Sequence, residues 1–337
     1  MKALIQKLKN KTDLSAAEME KAMLAIMSGK ADKDEIATFL LALREKGAKV
    51  DEIAAAAKVM RRFAVKINTY HDVVLDTCGT GGDKRGSFNI STIAAFVICG
   101  AKVVVAKHGN RSISSKCGSA DLLEALGVNL NADPELLSEC LDEVGIAFLF
   151  AQKLHPAMKN VAAVRKELGV ETIFNVLGPL TNPAGATHQM MGVYRRELVR
   201  PMAEALKSLG LKRALVLHGS DGLDEVTTTG VTFVAEFDGK QITDYEIDPK
   251  ELKLPIVKFE DIKGGELKDN VKIAKDVLGG KKDPHRDIVV LNAACGLYVA
   301  GKARTIAEGL ALAAQSIDSG LAMDKLEALK DYSNTGK

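Results

Sequence analysis

Three short segments carry residue types that could hold an anion and a metal ion. GTGGD at residues 79–83 lies between a short apolar run and a segment of helical period. Small residues in succession let the backbone approach an anion closely, and amides at a helix N-terminus favour negative charge. Asn89, Ser91 and Thr92 follow in the first turn of that helix. There they either cap the backbone, as in an ordinary tight turn, or hold phosphate oxygens. Lys84 and Arg85 add positive charge. The spacing is not the GxGxxG dinucleotide fingerprint, and no Gly-Lys followed by Ser or Thr makes it a P-loop.

KHGNR at 107–111 directly follows the apolar run KVVVA, and DGLDE at 221–225 directly follows RALVLHG. Loops at the carboxyl ends of parallel strands line the ligand crevice of an open sheet. His108 alone reads equally well as a structural residue or as a ligand contact. Asp224 and Glu225 are either solvated surface carboxylates or ligands for Mg²⁺, a hard ion that takes carboxylates, water and phosphate oxygens. A phosphate cradle beside acidic metal ligands is a coherent chemical set. The five cysteines are odd in number and show no CxxC spacing, which suggests neither a disulfide framework nor a zinc knuckle. Cys78 precedes the glycine loop, but nothing nearby in sequence resembles a base that would activate it.

The elements that must position these segments fall into two kinds. Residues 1–65 read as three short helices, with a capping box at Ser15–Glu18, a second candidate at Asp32–Glu35, and a helix over 51–65. From Asp72 onward the periodicity changes. Strands at 73–75, 102–106, 146–151 and 213–219 alternate with helices at 119–127, 134–145, 156–169 and 197–209, which indicates an α/β domain with a mainly parallel sheet. A hairpin turning at Asp238-Gly239 adds an antiparallel edge. Residues 279–287 read as a loop, and two helices close the chain.

Bulk properties narrow the function classes. The chain has 337 residues, 47% hydrophobic and 27% charged, with 46 basic against 44 acidic side chains. Near-balanced charge gives a dedicated nucleic-acid binder little support. The N-terminal stretch has no signal-peptide pattern, and no run approaches the ~20 apolar residues of a membrane span. A soluble cytoplasmic protein is expected, with no nucleic-acid or membrane partner.

Taken together, GTGGD, NIST at 89–92, KHGNR, NVLGPLTNPA at 175–184 and DGLDE resemble the anthranilate phosphoribosyltransferase family of tryptophan biosynthesis. The similarity continues through 192–210 and 292–303 and so spans nearly the whole chain. The resemblance implies a nucleoside phosphorylase/phosphoribosyltransferase-like fold, α/β with a small all-helical domain and a mainly parallel central sheet. It implies a helical domain over 1–70, joined by helices from about 165–190, and an α/β domain over 71–337 carrying the phosphoribosyl pyrophosphate and metal sites. It also implies a homodimer associated through the helical domains.

The implied reaction transfers the 5-phosphoribosyl group of phosphoribosyl pyrophosphate to the amine of anthranilate, with Mg²⁺ as cofactor. Carried onto this sequence, the family pattern assigns Gly79, Thr80, Gly81, Gly82, Asp83, Ser87, Asn89, Ser91, Thr92, Lys107 and Ser119 to phosphoribosyl pyrophosphate. It assigns Gly79, His108, Asn110, Arg165, Gly178 and Pro179 to anthranilate, and Ser91, Asp224 and Glu225 to the metal. Lys107 has an electrostatic role, and no residue is assigned as a general base. Arg195, Arg196, Cys117, Cys295 and VTTTG at 226–230 depart from the family pattern without removing a group the chemistry needs. The competing readings are a pyrimidine nucleoside phosphorylase-like enzyme and a non-catalytic relative that binds nucleic acid.

Overall fold

The computed structural model describes residues 1–111 and 116–335. Four helices come first: α1 (Lys2–Lys9), α2 (Ala16–Met27), α3 (Lys33–Lys46) and α4 (Val50–Phe63). The sequence reading expected three. α1 is short and has no side-chain cap, but Leu4, Ile5 and Leu8 give it one buried face, which packs on α3. The Ser15 hydroxyl accepts from the Glu18 N–H, and the Glu18 carboxylate accepts from the Ser15 N–H, so the first capping box forms as expected. Asp32 caps α3 by accepting from the Glu35 N–H.

The remaining chain alternates as β1 (Val74–Asp76), α5 (Ile90–Gly100), β2 (Val104–Gly109), α6 (Ser119–Ala125), α7 (Pro134–Glu139), β3 (Ile146–Phe150), α8 (Ala151–Leu154), α9 (Lys159–Leu168), α10 (Phe174–Leu177), β4 (His188–Gly192), α11 (Val199–Ser208) and β5 (Arg213–Gly219). The hairpin β6 (Thr232–Phe237) and β7 (Ile242–Ile247) follows, and then α12 (Leu267–Leu278), α13 (Pro284–Val299), α14 (Ile306–Asp318) and α15 (Leu321–Ser333). The sheet order is β3-β2-β1-β4-β5-β6-β7. Pairing is parallel from β3 through β5 and antiparallel along β5-β6-β7, so the hairpin supplies the expected antiparallel edge.

Two expectations for the C-terminal part need correction. The loop ends at 283 rather than 287, because Asp283 accepts from the Arg286 N–H and Pro284 occupies the first helical turn. Pro lacks only an N–H that is unsatisfied there anyway, so Asp-Pro starts this helix instead of extending the loop. Three helices then close the chain, not two, since Gly320 (φ +82°) lets the backbone turn sharply between α14 and α15.

Two apolar cores flank the sheet, and strand periodicity divides it between them. On β5, Leu215 and Leu217 face the core built on α5 and α13, while Ala214 and Val216 face a second core. That second core is continuous with the N-terminal helices and takes in Val161 and Val164 of α9 and Phe174 and Leu177 of α10. α9 packs directly on α2 and α3. Among the described residues, no helix is long and apolar enough to cross a membrane.

Candidate active site

The three chemistry-bearing segments meet at the carboxyl ends of β1, β2, β4 and β5. The parallel register pairs Val74 with Val104 and Leu75 with Val105. Continued along the strands, it sets Lys107 level with Thr77 and His108 level with Cys78. Neighbouring strand residues point to opposite faces. The Lys107 ammonium accordingly donates to the Thr77 carbonyl (3.1 Å) and the Ser91 hydroxyl (3.4 Å) on the α5 side. His108 turns the other way, with Nε2 3.1 Å from Nε2 of His155, the residue after α8. β2 runs on to Gly109, past the strand end expected at 106, so Lys107 and His108 are consecutive strand residues and not loop residues, and they serve opposite sides of the sheet.

On the α5 side the glycine loop and the acidic turn are joined. The Gly81 N–H donates to Asp224 Oδ2 at 2.7 Å, and the Thr80 N–H donates to the Gly192 carbonyl at 2.9 Å. Gly81 and Gly82 have φ of +63° and +81°, a region that favours glycine. A Cβ on Gly79 would lie 3.0 Å from both Asp224 Oδ2 and the Gly192 carbonyl, so this position too must stay small. The Ser91 N–H donates to Glu225 Oε1 at 3.1 Å. Asp83 Oδ1 accepts from the Arg85 N–H, and its Oδ2 is buried without a partner.

The polar residues around the first turn of α5 take different positions. Asn89 stands at the N-cap of α5 but makes no capping bond; its amide reaches the Cys117 carbonyl at 3.2 Å, and its Oδ1 is buried without a partner. Thr92 is buried in the core face of α5, whereas Ser91 opens to the site. Ser87 forms an isolated β-bridge with Lys263, and the Ser119 hydroxyl accepts from the Asn110 N–H and donates to the Asn110 carbonyl, each at 3.2 Å. Ser87 and Ser119 are thus tied to neighbouring loops.

Asp224 and Glu225 are not surface carboxylates. They keep partial solvent access at the cleft floor, yet burial followed by the charge of Asp83 pushes Asp224 up to about 7. Burial followed by the charge of Asp224 pushes Glu225 up to about 8, with Lys107 opposing. Burial raises Asp83 as well. Crowded carboxylates, one with an unpartnered oxygen, make an environment that a hard divalent cation would relieve.

The opposite side holds the other expected contacts. Asn110 is exposed, and its Oδ1 accepts from the Arg111 N–H (2.8 Å) and Gln152 Nε2 (3.2 Å). Arg165 on α9 lies half-buried with its guanidinium 5.5 Å from the Phe174 ring centroid, and among the described residues no carboxylate pairs with it. Gly178 and Pro179 follow α10, and the Pro179 carbonyl accepts from Gln189 at 2.8 Å. Burial holds both His108 and His155 below the usual imidazole range, so both rings are neutral near pH 7. His108 Nδ1 makes no well-aligned hydrogen bond, although the Gly178 backbone lies near enough to favour the protonated ring.

Sequence reasoning missed the residues beneath this floor. Asp76 is fully buried; its Oδ1 accepts from the Cys78 N–H (3.0 Å) and His108 N–H (3.2 Å), and its Oδ2 accepts from Asn182 (2.8 Å). Asn182 also donates to the Ala106 carbonyl. One carboxylate thus ties the start of the glycine loop to the start of KHGNR. Asn292, fully buried on α13, clamps Val226 by accepting from its N–H (3.0 Å) and donating to its carbonyl (2.7 Å). A lone polar residue inside the apolar run 288–295 was the available signal for Asn292, and Asp76 and Asn182 had none. Burial pushes the Cys78 thiol up to about 12, so it is not an activated nucleophile.

Residues 2–64 match the helical bundle domain of the glycosyl transferase family, and residues 71–323 match its a/b domain. An anthranilate phosphoribosyltransferase from Moorella thermoacetica is 53% identical over 329 residues, covering 98% of this chain and 97% of its own. One from Petrotoga mobilis is 50% identical over 330 residues, covering 98% and 96%. The crystal structure of the Thermus thermophilus enzyme superposes with a TM-score of 0.94 at 44% identity, covering 98% of this chain and 99% of that one. The Saccharomyces cerevisiae enzyme in complex with PRPP and Mg gives 0.91 at 30% identity, covering 99% and 97%. Two adjoining domain matches and such identity over almost the full length establish that the chain belongs to the anthranilate phosphoribosyltransferase family.

Proposed function

We infer that the chain transfers the 5-phosphoribosyl group of phosphoribosyl pyrophosphate to the amine of anthranilate, releasing pyrophosphate. The observation that carries this reading is the division of labour between Lys107 and His108. It supports reading the Lys107 side of the sheet as the anion- and metal-binding side and the His108 side as that of the aromatic acceptor. The names of the relatives agree, and the yeast neighbour was crystallised with PRPP and Mg.

The glycine-loop residues Gly79, Thr80, Gly81, Gly82 and Asp83, together with Ser87, Asn89, Ser91, Thr92, Lys107 and Ser119, are assigned to phosphoribosyl pyrophosphate. Loop amides, the Ser91 hydroxyl and the Lys107 ammonium supply donors for its oxygens. Ser91, Asp224 and Glu225 would hold Mg²⁺, with Asp83 close by. When bound, the ion supplies Lewis-acid stabilisation of the leaving pyrophosphate. Arg165, with no carboxylate partner among the described residues, presents a planar donor fork to the acceptor's carboxylate. Gly79, His108, Asn110, Gly178 and Pro179 complete the acceptor side.

In the reaction the C1–O bond to pyrophosphate breaks, and a bond forms from C1 to the amine nitrogen, which then loses a proton. Positive charge grows on the ribose and negative charge on the leaving group. Lys107, fixed by Thr77 and Ser91 before substrate arrives, stabilises that negative charge without reorganising. A neutral aromatic amine is already nucleophilic, so the chain need not supply a strong base to begin attack. Orientation of both reactants across the sheet edge contributes the rest.

The same reading divides the chain at about residue 70 and gives the helices from about 165–190 to the helical lobe, which the packing of α9 on α2 and α3 supports. A homodimer through that lobe is supported by the half-exposed Leu24 and Leu41. Loss of anthranilate fluorescence on mixing with phosphoribosyl pyrophosphate, with and without Mg²⁺, tests the function. Magnesium-dependent conversion is expected; no conversion by folded, metal-loaded protein would refute it.

A further inference from the structure

Asp76, Cys78 and His108 converge on one side of the sheet, each with a ligating atom within 4.8 Å of the others. The convergence follows from the register: residues 76 and 78 share a face of the β1 path, and His108 stands level with Cys78 on the adjacent strand. Each group has an unused valence. A carboxylate offers about four lone-pair positions; Asp76 uses two on Oδ1 and one on Oδ2. The Cys78 thiol reaches only the carbonyl of the next residue, Gly79, at 3.4 Å. His108 is 3% exposed, and its Nδ1 makes no well-aligned hydrogen bond.

We propose that Asp76, Cys78 and His108 form a binding site for a borderline-soft divalent cation of the zinc class, separate from the carboxylate site for magnesium. Thiolate and imidazole ligands select such ions over Mg²⁺. Three protein ligands that leave the fourth position to a water is a coordination pattern that zinc adopts. His155 completes the arrangement. With the His108 proton on Nε2 and donated to His155 Nε2, Nδ1 keeps its lone pair for the ion. Metal-bound histidines characteristically donate their other ring N–H in this way. Binding exchanges the Cys78 thiol proton for the metal–sulfur bond and releases that proton to solvent.

A bound ion engages His108, a residue of the acceptor side. Zinc is therefore a competitive inhibitor against anthranilate, a consequence that rests on the acceptor reading above. The site itself does not depend on that reading.

The test is a titration of the full-length protein with Co²⁺ in excess Mg²⁺, followed by absorption spectroscopy without substrate. A thiolate-to-cobalt charge-transfer band saturating at one equivalent is expected. It should vanish in Cys78→Ser and Cys78→Ala and persist in Cys117→Ser, each variant checked for an unchanged circular-dichroism melt. Zinc affinity, measured by displacing cobalt, should fall more than about 100-fold in the Cys78 variants, beyond the 10–100-fold of an outer-shell loss. Absence of the band, or its persistence in both Cys78 variants, would overturn the site and leave the transferase reading intact. A Cys78-dependent band without competition between zinc and anthranilate would support the site and refute the placement of His108 beside the acceptor.

Discussion

Gly192 and Asp224 touch through their backbones: a Cβ on Gly192 would lie 1.5 Å from the Asp224 carbonyl oxygen and 2.3 Å from its carbonyl carbon. Gly192 ends β4, and its own carbonyl accepts from the Thr80 N–H. A residue that was never singled out as functional therefore holds the glycine loop and the acidic turn against each other. Gly192→Ala has no rotamer to change, so the backbone must move. Overpacking of this kind costs about 1–3 kcal/mol, and a shift approaching 1 Å at the site costs about 10²-fold in turnover. Both losses are expected, by thermal denaturation and by initial rate. Gly178→Ala is the stability control, since nothing lies within 4 Å of its added carbon. Turnover in Gly192→Ala within a factor of about two of the parent would refute the positioning role.

Asp224 and Glu225 set a pH dependence whose sign is fixed. Their ordinary values are 3.8 and 4.5, and the folded protein raises them to about 7 and about 8. Between these limits the folded state holds protons that the unfolded chain has released, so metal-free stability falls as pH rises from about 4 to about 8. A divalent cation favours the ionised carboxylates. Magnesium should therefore raise the melting temperature more at about pH 8.5 than at about pH 6. The Asp224→Asn/Glu225→Gln double variant should lose both the slope and the magnesium shift. A magnesium shift independent of pH would place the ion elsewhere.

The fold was legible where periodicity is long and unambiguous. The alternation of Ala214 and Val216 with Leu215 and Leu217 identifies β5 as a strand between two cores, and Ser15–Glu18 announces α2. α1 was not legible, because eight residues with three apolar positions carry little helical signal and its stability comes from packing on α3. Among site residues, the loops carried their own signal in glycine, lysine and paired carboxylates. Asp76 and Asn182 did not, and Asn292 showed only as a polar residue in an apolar run, because their function is to bond groups supplied by distant segments. Asp76 and Asn182 stand 106 positions apart in sequence and meet only in three dimensions.

Asn292 offers a separate test of the acidic turn. Its amide bonds both the N–H and the carbonyl of Val226, the residue after Glu225, and also donates to the Ile288 carbonyl. Asn292→Leu keeps the volume but leaves the buried Val226 groups unpaired, at about 1–3 kcal/mol per group. A lower denaturation midpoint is expected together with a higher magnesium requirement, since the carboxylate beside the clamp loses its fixed direction. Asn292→Asp should lie between the two, retaining an acceptor for the Val226 N–H while losing the donors. A loss of stability with unchanged magnesium half-saturation would limit Asn292 to a role in the core.

Arg165 is a half-buried cation whose environment offers the Phe174 ring but, among the described residues, no carboxylate. Burial lowers its affinity for its own proton. A guanidinium kept in such a place opposes folding slightly and is explained by a ligand that arrives later. Two opposite effects should therefore follow from Arg165→Met. The melting temperature should hold or rise, because a desolvated charge has been removed. The KM for anthranilate should rise roughly 10- to 100-fold, matching the ~1.5–3 kcal/mol of a hydrogen bond to a charged group, while the KM for phosphoribosyl pyrophosphate stays near that of the parent. Arg165→Lys keeps the charge but not the fork and should recover only part of the loss. Equal rises in both KM values would mean that Arg165 maintains the shape of the cleft instead of binding the acceptor.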